Sequence, residues 1–198
     1  IFSDFRHRGY GSFFLKKVIQ NLKQKNFPNQ NIIYNLEALT ENSAAMNFYL
    51  KNGFEIIDEL YVLEMPQNQK KKNISDFIIK NYVGRKAREI TQRIYNKYGY
   101  PWYCSPQVLS KNKKIKTIGI FSENEVVGFC NFLPNTDEIV IRNILSFKNE
   151  KTKDVLEFIW KNKKVYYFFA RKNEEFSYFL IQNDWEINYP QYQLRLKR

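Results

Sequence analysis

Two short stretches near the start of the chain carry residue types that could do chemistry. The first is Arg6-His7-Arg8-Gly9-Tyr10-Gly11-Ser12, which runs into the apolar residues Phe13, Phe14, Leu15, Val18 and Ile19. Backbone N–H groups at a helix start lack intrahelical acceptors, and with the helix dipole they present positive partial charge. Glycines let such a backbone approach an anion closely. The N–H groups from Arg8 to Ser12 therefore read as a nest suited to a pyrophosphate, the other use of the two glycines being a tight turn. The second stretch runs from Asn42 to Glu55. Asn42 stands where an N-cap belongs, Ala45, Phe48 and Tyr49 recur at helical spacing, and Gly53 follows the last periodic residue. Tyr49 is a phenol, which with an ordinary pKa of about 10 keeps its proton at neutral pH and can donate it. Its other role on a helix is packing.

These residues need elements to hold them. Gly11 to Lys25 reads as a helix with Phe14, Leu15, Val18, Ile19 and Leu22 on one face. After a loop around Pro28, Ile32 to Leu39 is apolar and β-branched enough for a strand. A helix from Ser43 to Asn52 follows, and Phe54 to Met65 supplies one or two further strands. The unit is strand, capped helix, glycine stop, strand.

The run Leu36-Glu37-Ala38-Leu39-Thr40-Glu41-Asn42, leading into Ala45, Tyr49, Lys51 and Gly53-Phe54, resembles the C-terminal signature of the GNAT superfamily of acyl-CoA-dependent N-acyltransferases. Upstream, Arg6, Gly9 and Gly11 match the superfamily's R-x-x-G-x-G loop, in the right order and at the right distance. The resemblance implies an α/β (α+β) fold, with a mixed, mainly antiparallel sheet flanked by helices. It assigns Arg6, His7, Arg8, Gly9, Tyr10, Gly11 and Ser12 to the diphosphate of acetyl-CoA and puts Ile1 at a strand edge facing the thioester. It gives Asn42 a part in ordering coenzyme or acid. It makes Tyr49 the general acid that protonates the departing thiolate while an amine of a small molecule or peptide takes the acetyl group directly. Glu37 is a candidate general base, although strand alternation could turn it to either side. Since Ile1 to Arg6 matches the end of a strand that the fold precedes with other elements, residues 1–66 read as the C-terminal half of one such domain.

Residues 67–73 read as a linker, polar and lysine-rich, and residues 74–198 as a second domain. There, Val83, Ala87, Ile90, Ile94 and Tyr98 mark a basic amphipathic helix, and Tyr100 to Tyr103 lie in an aromatic loop. Glu123-Asn124-Glu125 separates the arms of a hairpin, and strand, helix, strand, helix and closing strands follow. A shift of 131 residues lays Asn42 on Asn173, Phe48 on Phe179, Asn52 on Asn183, Phe54 on Trp185 and Leu63 on Leu194. The order of elements matches too, which makes the chain two repeats of one fold. The second copy is degenerate: Lys148 to Lys153 holds no glycine, Leu180 replaces Tyr49 and Asp184 replaces Gly53. Structure or substrate selection is its expected role.

The 198 residues carry a net charge of +12, unevenly placed. From Lys70 to Lys116 there are thirteen Lys or Arg against Asp76 and Glu89, a net of +11, while residues 1–65 balance at zero. That segment is either a solvated basic face or a docking surface for phosphates, and with the aromatic loop it supports the competing reading of a non-catalytic module for RNA or another anion. Only His7 and two cysteines, Cys104 and Cys130, are available as soft ligands or nucleophilic pairs, which argues against a metal site and against Cys-His or Ser-His catalysis. Unpaired thiols, no spanning apolar run and no secretory pattern place the chain in the cytoplasm, away from membranes.

Overall fold

The computed structural model describes residues 3–6, 8–26, 33–67, 76–98 and 104–197. The chain divides into two compact units, Ile1–Asp58 with Gln191–Arg198, and Glu59–Pro190. These are cut differently from the expected 1–66 and 74–198, and most of the expected linker lies outside the described residues.

The first unit contains α1 (Tyr10–Asn26), β1 (Ile33–Leu39), α2 (Ser43–Lys51), the start of β2 (Glu55–Glu64) and the end of β8 (Glu186–Lys197). β1 runs antiparallel to β8 in an unbroken register from Ile33↔Lys197 to Leu39↔Gln191. Alternate side chains point to one face of a strand. Leu36, Ala38, Leu194 and Leu196 accordingly meet Ile19 of α1, Met46 of α2 and Phe54 in one apolar cluster. Each fully buried Leu or Ile contributes about 1.5 to 3 kcal/mol. The expected apolar face of α1 is only partly used: Ile19 is buried and Leu15 packs on the cluster, whereas Phe14 and Leu22 are 68% and 41% exposed. At 100° per residue Phe14 lies at one edge of that face, whereas Leu22 lies near its middle but further along the helix than Ile19.

In the second unit the strands lie in the order β2, β7 (Lys164–Arg171), β6 (Glu138–Ser146), β5 (Glu125–Pro134), β4 (Lys116–Ser122), β3 (Phe77–Tyr82). All pairs are antiparallel except β6 with β7. One face carries Ile139, Ile141, Val165 and Tyr167 against Val155 and Leu156 of α5 (Asn149–Ile159) and Phe176 and Leu180 of α6 (Glu175–Gln182). Phe129 and Leu145 instead meet Ile90 and Ile94 of α3 (Gly84–Tyr98), near the short α4 (Pro106–Leu109). The hairpin joins β4 to β5 through Glu123 and Asn124, whose φ values of 53° and 66° give the twist that suits two-residue turns. Two elements depart from expectation. β3 was not expected; its Phe-Ile-Ile-Lys-Asn-Tyr sequence does not alternate, and Ile78 is half exposed. α4 is too short for helical periodicity to show. β2 and β8 are each one continuous strand. No helix among the described residues is long and apolar enough to cross a membrane.

α2 and α6 end alike. Gly53 and Asp184 both hold left-handed φ, 86° and 69°. Phe54 N–H donates to Tyr49 C=O and Trp185 N–H to Leu180 C=O, each at 3.1 Å. Asn52 and Asn183 donate from Nδ2 to the carbonyls of Phe48 and Phe179, at 2.8 and 2.9 Å. A residue with Cβ costs roughly 1 to 2 kcal/mol in this conformation. Asp184→Gly should therefore raise the unfolding midpoint, and Gly53→Asp should lower it, by about 1 kcal/mol each in urea titrations followed by circular dichroism; no shift in either would remove the backbone argument.

Candidate active site

Gly9 adopts φ +80°, and a Cβ there would meet nothing within 4 Å, so the dihedral and not crowding requires glycine. α1 begins at the next residue, and its first ladder bond runs from Phe13 N–H to Gly9 C=O at 3.0 Å. The N–H groups of Gly9, Tyr10, Gly11 and Ser12 precede that ladder and have no backbone acceptor among the described residues. No acidic residue stands in the first turn, and Arg6, Arg8 and Tyr10 are exposed beside it. Ile1 and His7 fall outside the described residues.

α2 carries the second stretch. Asn42 Oδ1 accepts from Ala45 N–H at 3.0 Å, the expected N-cap bond. Tyr49 is half-buried, its ring edge-on to those of Phe48 and Phe54 at 5.2 and 5.5 Å and packed on the apolar cluster. Its hydroxyl makes no hydrogen bond to the described residues. Asn52, to which the sequence alone assigned no role, joins the two stretches: its Nδ2 donates to Ser12 Oγ at 3.1 Å as well as to Phe48 C=O. An amide side chain immediately before a glycine stop was the available signal. The first turn of α1 and the last turn of α2 are thereby fixed to each other.

The register of β1 decides the side taken by Glu37. Leu36 and Ala38 point to the cluster that holds Tyr49, so Glu37 projects from the opposite face, where Gln193 Nε2 donates to its Oε1 at 3.4 Å. Arg195 donates to Asn35 on the same side at 3.0 Å. Glu37 does not share a face with Tyr49.

In the second unit the first turn of α5 is tied to the strands. Thr152 is fully buried in the first turn of α5, its Oγ1 donating to Val127 C=O at 2.8 Å and taking a bond from Ser146 Oγ at 3.1 Å. A Cβ on Gly128 would come within 3.0 Å of that hydroxyl. Lys148 pairs with Glu125, and Lys151 pairs with Glu123 at 2.8 Å. The hairpin thus neutralises the lysines that might have drawn an anion. Both cysteines are buried, and burial pushes the Cys130 thiol up, so it stays protonated. In the basic segment, Arg85 and Lys86 pair with Glu89. The loop from Tyr100 to Tyr103 lies outside the described residues.

The glycine-opened helix start and the capped helix that bears Tyr49 thus stand together on an α/β framework of mostly antiparallel strands. No family model matches the sequence, and no curated protein matches it either. Solved structures do share the fold. A GCN5-related N-acetyltransferase from Sphaerobacter thermophilus superposes with a TM-score of 0.66 at 12% identity, over 98% of this chain and 70% of its own. One from Anabaena variabilis gives 0.62 at 16% identity, over 97% of this chain but 51% of its own. A tandem GNAT protein from the clavulanic acid biosynthesis pathway gives 0.58 at 8% identity, over 98% of this chain and 72% of its own. The chain thus has the GNAT fold and spans between half and three quarters of these proteins.

Two outcomes follow. Asn42→Ala should lower stability by about 1 kcal/mol in chemical denaturation, with Asn42→Asp close to the parent, if the cap bond is what the side chain supplies. The Lys148 and Lys151 pairs hold the carboxyls of Glu125 and Glu123 below the usual carboxylate range. A depressed folded value means that their contribution is present above the ordinary Glu range and is lost as pH falls through the folded value. Lys148→Gln with Lys151→Gln should therefore destabilise the chain near neutrality and make no difference at strongly acid pH; an equal effect at both would refute the pairing.

Proposed function

We propose that this chain acts as an N-acetyltransferase, with acetyl-CoA as donor and an amine of a small molecule or peptide as acceptor. The observation that carries this reading is the Asn52 to Ser12 hydrogen bond, which holds the Gly9 nest and the Tyr49 helix together in one unit. The shared fold of N-acetyltransferases supports it. In this reading the N–H groups from Gly9 to Ser12, with Arg6 and Arg8, bind the coenzyme's diphosphate. By the resemblance, His7, Tyr10 and Ile1 also belong to the coenzyme-binding residues, and Asn42 helps order the coenzyme end of α2.

The chemistry is a single displacement. The amine nitrogen forms the new bond to the acetyl carbon as the carbon–sulfur bond breaks, and the thiolate takes the Tyr49 proton. Proximity supplies much of the rate, and no covalent enzyme intermediate is needed. Glu37, facing away from Tyr49, is a poor candidate for the base, and the attacking amine's proton leaves to solvent or to the acceptor's surroundings. The matched ends of α2 and α6 favour two copies of the fold, the second without a coenzyme site because α5 opens without glycine and its lysines are paired with glutamates. A tandem GNAT protein has the same fold. Two buried cysteines outside any disulfide suit the reducing cytoplasm.

Calorimetric titration with acetyl-CoA, followed by thiol-release assays over a panel of amines, tests the reading. The parent should bind, and Gly9→Glu with Gly11→Glu should abolish binding in a chain that still folds by circular dichroism. Tyr49→Phe should bind acetyl-CoA normally and lose about 10²- to 10⁴-fold in kcat, the range for a positioned acid. Absence of binding by the folded parent would refute the proposal for this chain.

A further inference from the structure

The second unit contains a feature that acyl transfer does not use. The end of β3, the N-terminal half of α3, α4 with the turn after it, the start of β4 and the end of β5 line a half-open cavity of about 700 Å³. That lies within the roughly 300 to 1,000 Å³ typical of small-molecule sites. Its rim carries three exposed cations from three places in the chain: Arg88 on α3, Lys113 in the turn and Lys116 at the start of β4. Neighbouring Arg85 and Lys86 pair with Glu89, but Arg88, Lys113 and Lys116 form no ion pair with the described residues, and no Asp or Glu is among those lining the cavity. Cations gathered at one opening without a carboxylate repel one another, and a bound anion relieves that repulsion.

The interior is built rather than incidental. Thr91, Thr117 and Asn131 line it and are buried. Thr117 Oγ1 donates to Asn131 Oδ1 at 2.6 Å, and Asn131 Nδ2 donates to Asn143 Oδ1 at 2.6 Å. An amide nitrogen has two hydrogens, so one N–H of the fully buried Asn131 has no acceptor among the described residues. Such a donor is costly unless something accepts from it. The walls include Tyr82, Leu109 and Phe132. Tyr82 is seated against Gly119, where a Cβ would fall 2.9 Å from the ring.

We infer that this cavity is a binding site for a phosphate monoester on an apolar or aromatic body, the phosphate at the Arg88, Lys113 and Lys116 rim and the body against Tyr82, Leu109 and Phe132. Three cations suit a dianion better than a single carboxylate, and the apolar walls give inorganic phosphate nothing to fill them. This site lies wholly in the second unit and does not depend on the acetyltransferase reading. It gives part of the chain's basic surplus a specific task.

Calorimetry of the 198-residue chain with phenyl phosphate and with inorganic phosphate tests it. Phenyl phosphate should bind saturably and at least about tenfold more tightly than inorganic phosphate, since burying a ring adds more than 1.4 kcal/mol. Arg88→Gln with Lys113→Gln and Lys116→Gln should weaken it tenfold or more, each single substitution severalfold, while Gly11→Glu in the first unit leaves it unchanged. The single variants decide the matter should the triple variant misfold. No saturable binding by the folded parent, full binding by the charge variants, or loss on Gly11→Glu alone would each overturn the site. Equal affinity for the two phosphates would overturn the apolar half of the inference.

Discussion

The pairing of β1 with the end of β8 is the constraint on which the first unit depends. Seven residues on each strand are matched, and they place Leu36, Ala38, Leu194 and Leu196 on one face. That face is what α1 and α2 pack on. Without it Ile19, Met46 and Phe54 have no common surface, and neither the nest at Gly9 nor the phenol of Tyr49 has a fixed support. The Asn52 to Ser12 hydrogen bond is a local adjustment made on a frame that this pairing supplies.

The same type of element, a helix start, is used in two opposed ways. At α1 glycine holds a left-handed backbone at Gly9, and Arg6 and Arg8 are exposed nearby without an acidic residue in the first turn. At α5 a first-turn threonine donates its hydroxyl proton to a strand carbonyl, and glutamates pair with the adjacent lysines. The first keeps the positive end of a helix dipole without an acidic partner in its turn, and the second ties its turn to the sheet and offsets the lysine charge locally.

What could be read from the sequence was what local chemistry dictates. Asn42 and Gly53 bracket α2 because a cap needs a short acceptor and a left-handed stop needs no Cβ. Glu123 and Asn124 mark the hairpin because turn residues tolerate positive φ. What could not be read depends on partners distant in the chain. The side taken by Glu37 is set by its match with Gln193 across the β1 and β8 register, and nothing near Glu37 encodes it. β3 is a strand because β4 offers it a partner from Phe77↔Ser122 to Tyr82↔Thr117, not because its own residues alternate. The apolar spacing of α1 overstates its buried face for a related reason: spacing identifies a helix, but how much of its surface is covered depends on what packs there.

The origin of β1's partner also bears on the order in which the chain can mature as it leaves the ribosome. Residues 191–198 belong to the first unit, while the second is complete at Pro190. Although α1, β1 and α2 emerge before these residues, their sheet cannot close until strand residues more than a hundred positions later have been made, whereas hairpins such as β4 with β5 can form soon after synthesis. Leu36 and Met46 must therefore wait uncovered, and the backbone around Gly9 gains its support only when β8 arrives.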